Sequence, residues 1–267
     1  MTPLLPEQAD ALRGIQAVCR DLDVDIVVIG AVAYRAWVHD EHRTTEDVDT
    51  VVALDLPELR RLTDPLSARG WRQDRHREHR WFSPKDARID LLPVGAQARR
   101  DRRLTWPLAE TTMSLVGFGH VFDDAVEREL APGLRSKVVP VVVFTLLKIV
   151  SYLDQPMARQ KDLADLAAAM HAYEEDGDRR FSDEVIDAGV DYTESGAYLL
   201  GRDLARLCTE DDEREVVERF LRAMSDAGLV APGFPDRFSI EEVNARARRF
   251  AHESSAFVRG WVSSNPT

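Results

Sequence analysis

The chain has 267 residues, 44% of them hydrophobic and 31% charged, an ordinary globular balance with enough apolar surface for a core. That length favours one large domain or two smaller ones. The net charge of −12 excludes a protein that binds polyanions over its whole surface; such contact would need a local basic patch or a metal ion.

The first predicted element is a helix over 6–22, where Ala9, Leu12, Ile15, Val18 and Leu22 recur at helical spacing and Pro6 suits the first turn. DIVVIG (25–30) reads as a short strand ending in glycine, and AVAYRAWVH (31–39) as a helix directly after it. VDTVVAL (48–54) reads as a second strand, and 56–70 as a helix interrupted near Pro65 and closed by Gly70. WRQDRH, HRWFSP and ARIDLLPV, within 71–94, read as strands joined by polar turns. The expected fold is therefore α/β (α+β), a mixed sheet with flanking helices. From about residue 138 the pattern becomes helical, with helices at 140–153, 159–174, 182–189, 193–208, 210–227 and 239–260. The predicted domains are 1–137 and a mainly helical 138–267.

Three exclusions follow from local features. Cys19 and Cys208 are far apart without ligand-like spacing, which fits a reducing cytoplasm and argues against a disulfide framework or a structural zinc. The N-terminus lacks a basic stretch followed by an apolar one, so no signal peptide is expected. The longest apolar run, 138–153, is too short to cross a membrane and carries Lys148.

The chemistry concentrates around TTEDVDTVVAL (44–54). On a strand, residues two apart face the same side, so Asp47 and Asp49 project together while Val48 points into the core. Such a pair repels unless neutralised. A divalent cation with oxygen ligands answers that need, and Mg²⁺ suits few carboxylates plus substrate phosphates; a turn cap before the strand is the alternative. Asp90 is a lone acid inside the apolar strand ARIDLLPV, reasonable there if it joins the same cluster. The strand–Gly30–helix turn is a natural anion cradle. Lys148, alone in an apolar helix, either snorkels to the surface or reaches a phosphate.

These residues resemble the nucleotidyltransferase superfamily in the form found in AbiEii-type proteins. There a strand ends in Gly-Gly or Gly-Ser, a helix follows, and R-x-T-x-D-x-D leads into the next strand. Here that segment reads Arg43, Thr45, Asp47, Asp49, and the likeness continues through IDLLPVG, LTWP (104–107), the lysine-bearing helix, ARQKDLADL (158–166) and GAYLLGRDLARL (196–207). The second small residue is Ala31 rather than Gly or Ser, so phosphate contact there would rest on backbone N–H groups of Gly30 and Ala31. The resemblance implies an Mg²⁺-dependent transfer of a nucleoside monophosphate from an NTP to an acceptor hydroxyl. Asp47, Asp49 and Asp90 would hold one or two ions. Gly30, Ala31, Arg43, Thr45, Lys148, Lys161 and Asp162 would form the nucleotide site, and the helical domain would complete its cleft.

The implied acceptor is open. Residues 67–103 carry eleven Lys/Arg against five Asp/Glu, with Trp71, Trp81 and Phe82 interleaved; they read either as a track for an RNA end or as a solvated basic meander. The resemblance also extends to toxins of toxin–antitoxin pairs, some acting on the acceptor end of tRNA, and so to an antitoxin protein as partner. A small-molecule or protein acceptor, and a non-catalytic member that binds a nucleotide or a partner, are the competing readings. His39 and His42 precede the acid pair, and His76 and His79 lack the cysteine partners of a zinc site.

Overall fold

The computed structural model describes residues 3–38, 45–225 and 240–264. The chain divides into two units, Met1–Pro140 and Val141–Thr267.

In the first unit, α1 (Pro6–Asp21) starts with proline at its first position and buries Ala9, Leu12, Ile15, Val18 and Cys19 along one face. Gln8, itself buried, accepts the Leu5 N–H and donates to the Thr45 carbonyl at 3.1 Å, pinning α1 to the segment that precedes the acid pair. The strands β1 (Ile26–Val28), β2 (Asp47–Val52), β3 (Arg72–Gln73), β4 (Arg80–Phe82) and β5 (Arg88–Pro93) join two later ones, β8 (Val126–Ala131) and β9 (Leu134–Val138). They form one seven-stranded mixed sheet ordered β3-β4-β5-β2-β1-β9-β8. β6 (Arg103–Trp106) and β7 (Thr111–Ser114) pair separately. At the sheet's centre β2 runs parallel to β5 and antiparallel to β1, and Val27, Val28, Val48, Val51, Val52, Ile89 and Leu91 are buried there. The expected mixed sheet with flanking helices is what the chain forms.

Two predicted helices of the first unit differ in detail, and in the second unit the one expected over 182–189 shortens to Asp183–Ile186. The one expected over 31–39 is shorter, α2 (Gly30–Arg35), and gives way to a turn; the Trp37 indole N–H then donates to the Val139 carbonyl at 2.8 Å. The one over 56–70 is a single 3₁₀ turn (Leu56–Glu58) followed by α3 (Arg60–Ala68), which runs through Pro65. One missing N–H donor is tolerated because Leu62, Thr63 and Leu66 are buried on that helix. The short helices α4 (Ala96–Asp101) and α5 (His120–Asp123) complete the unit.

The second unit carries helices and no strand among its described residues: α6 (Val141–Asp154), α7 (Gln160–Ala172), α8 (Asp183–Ile186), α9 (Tyr192–Leu207), α10 (Asp211–Ser225) and α11 (Ile240–Ser264). α9 and α11 approach backbone to backbone at Gly201, where a Cβ would lie 2.1 Å from the Phe257 carbonyl oxygen. Glycine there permits a contact that no larger residue allows. No helix among the described residues is long and apolar enough to cross a membrane.

Candidate active site

The register of three strands builds the acidic face. β2 and β5 are parallel with Asp49 opposite Asp90, and β4 is antiparallel to β5 with Arg80 opposite Asp90. Residues directly opposite across a sheet share a face, so Asp49, Asp90 and Arg80 form a row. Asp47, two residues before Asp49, lies on the same face, while Val48 is wholly buried on the other.

Arg80 was not among the residues singled out from sequence, yet it organises the cluster. It is 8% exposed, and Asp90 is 6% exposed. Its Nε donates to Asp90 Oδ1 and its Nη2 to Asp90 Oδ2, both at 2.8 Å, a bidentate pair. The same Nη2 donates to Asp47 Oδ2 at 2.6 Å. These bonds, Asp90 foremost, hold the guanidinium's pKa above its ordinary value despite burial.

Other groups fix the acids from behind. The Thr45 hydroxyl lies 3.0 Å from both the Asp47 carbonyl and Asp47 Oδ1, so Thr45 orients the first acid. The buried Thr50 hydroxyl donates to the Asp90 carbonyl at 2.9 Å. Gly30 has φ +66°, and a Cβ there would lie 2.2 Å from Asp49 Oδ2, so the Asp49 carboxylate rests against bare backbone at the start of α2. Ala31 follows it, buried. His79 lies with Nε2 3.7 Å from Asp90 Oδ2 and its ring tilted against Trp106. Burial lowers its pKa, against the opposing pull of Asp90.

Lys148 belongs to a different cluster, within the second unit. Its Nζ lies 2.8 Å from Asp162 Oδ1 and 2.6 Å from Asp165 Oδ2, and Arg159 Nε donates to Asp162 Oδ2 at 2.9 Å. Asp162 is wholly buried; burial pushes its carboxyl up, but the Lys148 and Arg159 charges outweigh this and lower it. The i, i+3 spacing of Asp162 and Asp165 puts both on the face of α7 that meets Lys148. Lys161, next to Asp162, is exposed. Arg43, His39 and His42 lie outside the described residues.

The basic stretch divides in two. Trp71 and Trp81 are 6% and 5% exposed and belong to the core, so they offer no stacking surface to bases; Arg72, Arg75 and Arg77 are exposed. Both cysteines are buried and free, with burial pushing each thiol up to about 12, so neither is a ready nucleophile. Among the described residues, no three His, Cys, Asp or Glu side chains converge as metal ligands do. The three acids share a face, but the cation between Asp47 and Asp90 is a guanidinium.

A mixed sheet carrying an acid pair on one strand and a third acid in register on the next is an arrangement of the nucleotidyltransferase kind. The family described as "Nucleotidyl transferase AbiEii toxin, Type IV TA system" matches residues 11–229, and the chain belongs to that family. No curated protein matches it. Among solved structures, an antigenic nucleotidyltransferase-like protein from Paracoccidioides brasiliensis aligns with a TM-score of 0.45 at 15% identity, covering 82% of this chain and 89% of that one. The antibiotic-resistance factor ANT(2'')-Ia aligns with a TM-score of 0.41 at 11% identity, covering 81% and 97%. At those values neither likeness bears on substrate or mechanism.

Proposed function

We propose that the chain transfers a nucleoside monophosphate from an NTP to an acceptor hydroxyl, with Asp47, Asp49 and Asp90 holding Mg²⁺. The observation that carries this reading is the β2–β5 register, which sets Asp49 beside Asp90 with Asp47 on the same face. The donors are all carboxylate oxygens, the kind a hard divalent cation takes, and are proposed to converge on one ion only when Arg80 yields its place; the missing Cβ at Gly30 lets Asp49 Oδ2 pack against backbone. Bound magnesium would supply charge neutralisation on the triphosphate.

The chain's own residues do the rest. Thr45 holds Asp47 in orientation. The N–H groups of Gly30 and Ala31 are proposed to carry phosphate oxygens, and Lys148 to supply positive charge to the leaving pyrophosphate, with Asp162 and Asp165 fixing its ammonium. Arg43 and Lys161 remain proposed nucleotide contacts; Asp162, expected from sequence to be one, is wholly buried and is proposed to act only through Lys148. The acceptor oxygen attacks the α-phosphorus, the bond to the bridging oxygen breaks, and pyrophosphate leaves; Asp90, once released from Arg80, takes the acceptor's proton. The proposed acceptor is RNA, on the strength of the family's toxins, with the exposed Arg72, Arg75 and Arg77 as its electrostatic contact. A partner protein of the antitoxin kind and a cytoplasmic location belong to the same proposal.

A second reading, a non-catalytic member that binds a nucleotide or a partner, draws support from the guanidinium lodged between Asp47 and Asp90 and from Ala31 in the place of Gly or Ser. Incubation with each labelled NTP, Mg²⁺ and total RNA separates the two. Label on RNA with the wild type and none with Asp49→Ala supports transfer. Nucleotide binding with no label transferred, at any NTP, supports the second reading.

A further inference from the structure

We infer that Arg80 is a resident cation of the acidic face, which neutralises Asp47 and Asp90 when metal is absent and competes with a divalent ion for their oxygens. This rests on the metal reading of that face.

The argument is geometric. Nη2 of Arg80 stands within hydrogen-bond distance of Asp47 Oδ2 and Asp90 Oδ2, from two different strands, so one nitrogen occupies a position where an ion could join the same two oxygens. Nε takes the other Asp90 oxygen, so both oxygens of that acid are engaged. A guanidinium places its donors about 2.7–2.9 Å from carboxylate oxygen, whereas Mg²⁺ demands about 2.0–2.1 Å, so the two cannot share an oxygen's best position without one yielding. The arrangement is built rather than accidental. Arg80 sits directly opposite Asp90 in the β4–β5 ladder, and its strand follows a turn in which Asp74 accepts the N–H groups of His76 and Arg77. Glu78, in the same turn, accepts N–H groups of Leu108 and Ala109, tying the turn to the loop between β6 and β7. Arg80 is thus held from its own backbone, and what can change is its side chain. Swinging Nη2 off Asp47 while Nε keeps Asp90 would free one oxygen for an ion; releasing both would free the whole face.

The test is Mn²⁺ binding by calorimetry to the full chain, in wild type, Arg80→Gln, Arg80→Lys and Asp49→Asn, with thermal unfolding of each with and without the ion. Removing a positive charge in contact with two ligands should tighten Mn²⁺ binding at least ~10-fold in Arg80→Gln. The lower Tm of that variant should be largely restored by Mn²⁺, while wild type gains little. Arg80→Lys keeps the charge without the fork and should fall between. Equal or weaker Mn²⁺ binding in folded Arg80→Gln and Arg80→Lys overturns the inference and leaves Arg80 as an orienting partner of Asp90. If wild type binds Mn²⁺ and Asp49→Asn does not, the metal reading stands whatever Arg80 does; no binding by any variant overturns both. Should Arg80→Gln fail to fold, the wild type decides alone: its Arg80 Nε–H NMR signal, assigned by its loss in Arg80→Lys, should lose protection from exchange as Mg²⁺ is added. Unchanged protection with Mg²⁺ bound overturns competition.

Discussion

Two charged clusters among the described residues are built on opposite principles. In the first unit, carboxylates from two strands and a guanidinium from a third meet because ladder register puts them side by side. In the second, one lysine on α6 meets two carboxylates spaced one helical turn apart on α7. The strand cluster fixes spacing through backbone ladders and holds its buried cation by side-chain bonds alone. The helical cluster neutralises a lysine that would otherwise be stranded in an apolar helix. Ladder register thus sets the first cluster and helical periodicity the second.

The sharpest way to break that contrast is to remove a buried partner from the helical cluster. Asp162→Ala leaves Lys148 with Asp165 alone and should destabilise the chain by about 1.5–3 kcal/mol, read from urea unfolding. The same acid sets an acid limb. Its folded-state pKa lies below the ordinary 3.8, so its stabilisation is complete above that value and is lost as pH falls through the folded value. Unfolding followed below about pH 4 should therefore be less steep in pH for Asp162→Asn than for wild type.

At the strand cluster the expected losses are smaller in stability and larger in function. Gly30→Ala forces an alanine into a left-handed conformation, at about 1–2 kcal/mol, and drives its Cβ into Asp49 Oδ2. Its nucleotide transfer should fall further than its Tm suggests, and a variant with full activity would remove Gly30 from the site. Thr45→Val deletes the hydroxyl that orients Asp47 and should cost about 1 kcal/mol, with a weaker Mn²⁺ affinity as the decisive readout. The smallest effect belongs to His79. Burial depresses its pKa below 6.5, so the unfolded chain binds the extra proton first and stability rises as pH climbs from the folded value towards 6.5. His79→Gln should flatten that slope, read from unfolding between about pH 5 and about pH 7.

The sequence made the three acids legible because each breaks a local rule. Two charges two residues apart start an apolar strand, and one charge interrupts another. Lys148 stood out in the same way, and Asp162, which the sequence offers to orient it, is one of its two partners; Asp165 joins them through the packing of two helices. Arg80 stayed hidden among its neighbours in RHREHRWF, where one arginine looks like the next. A signal was present in SPKDA (83–87), turn-forming residues between two strand-like runs; counting outward from it pairs 82 with 88, 81 with 89 and 80 with 90, as the structure does. The aromatic residues beside it misled, because Trp71 and Trp81 serve the core rather than a nucleic-acid surface. No element was assigned between 95 and 137, where β8 and β9 form a hairpin around Pro132-Gly133. Most of β8 is exposed, so it lacks the apolar alternation that announces a strand, and its place at the sheet edge depends on pairing with β9.

The central claim, that the acidic face performs metal-dependent nucleotidyl transfer, is tested most directly by pyrophosphate release. Purified wild type and Asp49→Asn are supplied with each NTP, Mg²⁺ and total RNA. The account predicts release by the wild type with at least one NTP, abolished by chelation and reduced about 10²–10³-fold in Asp49→Asn. Equal release by both proteins, or none by the wild type with any NTP, would contradict it.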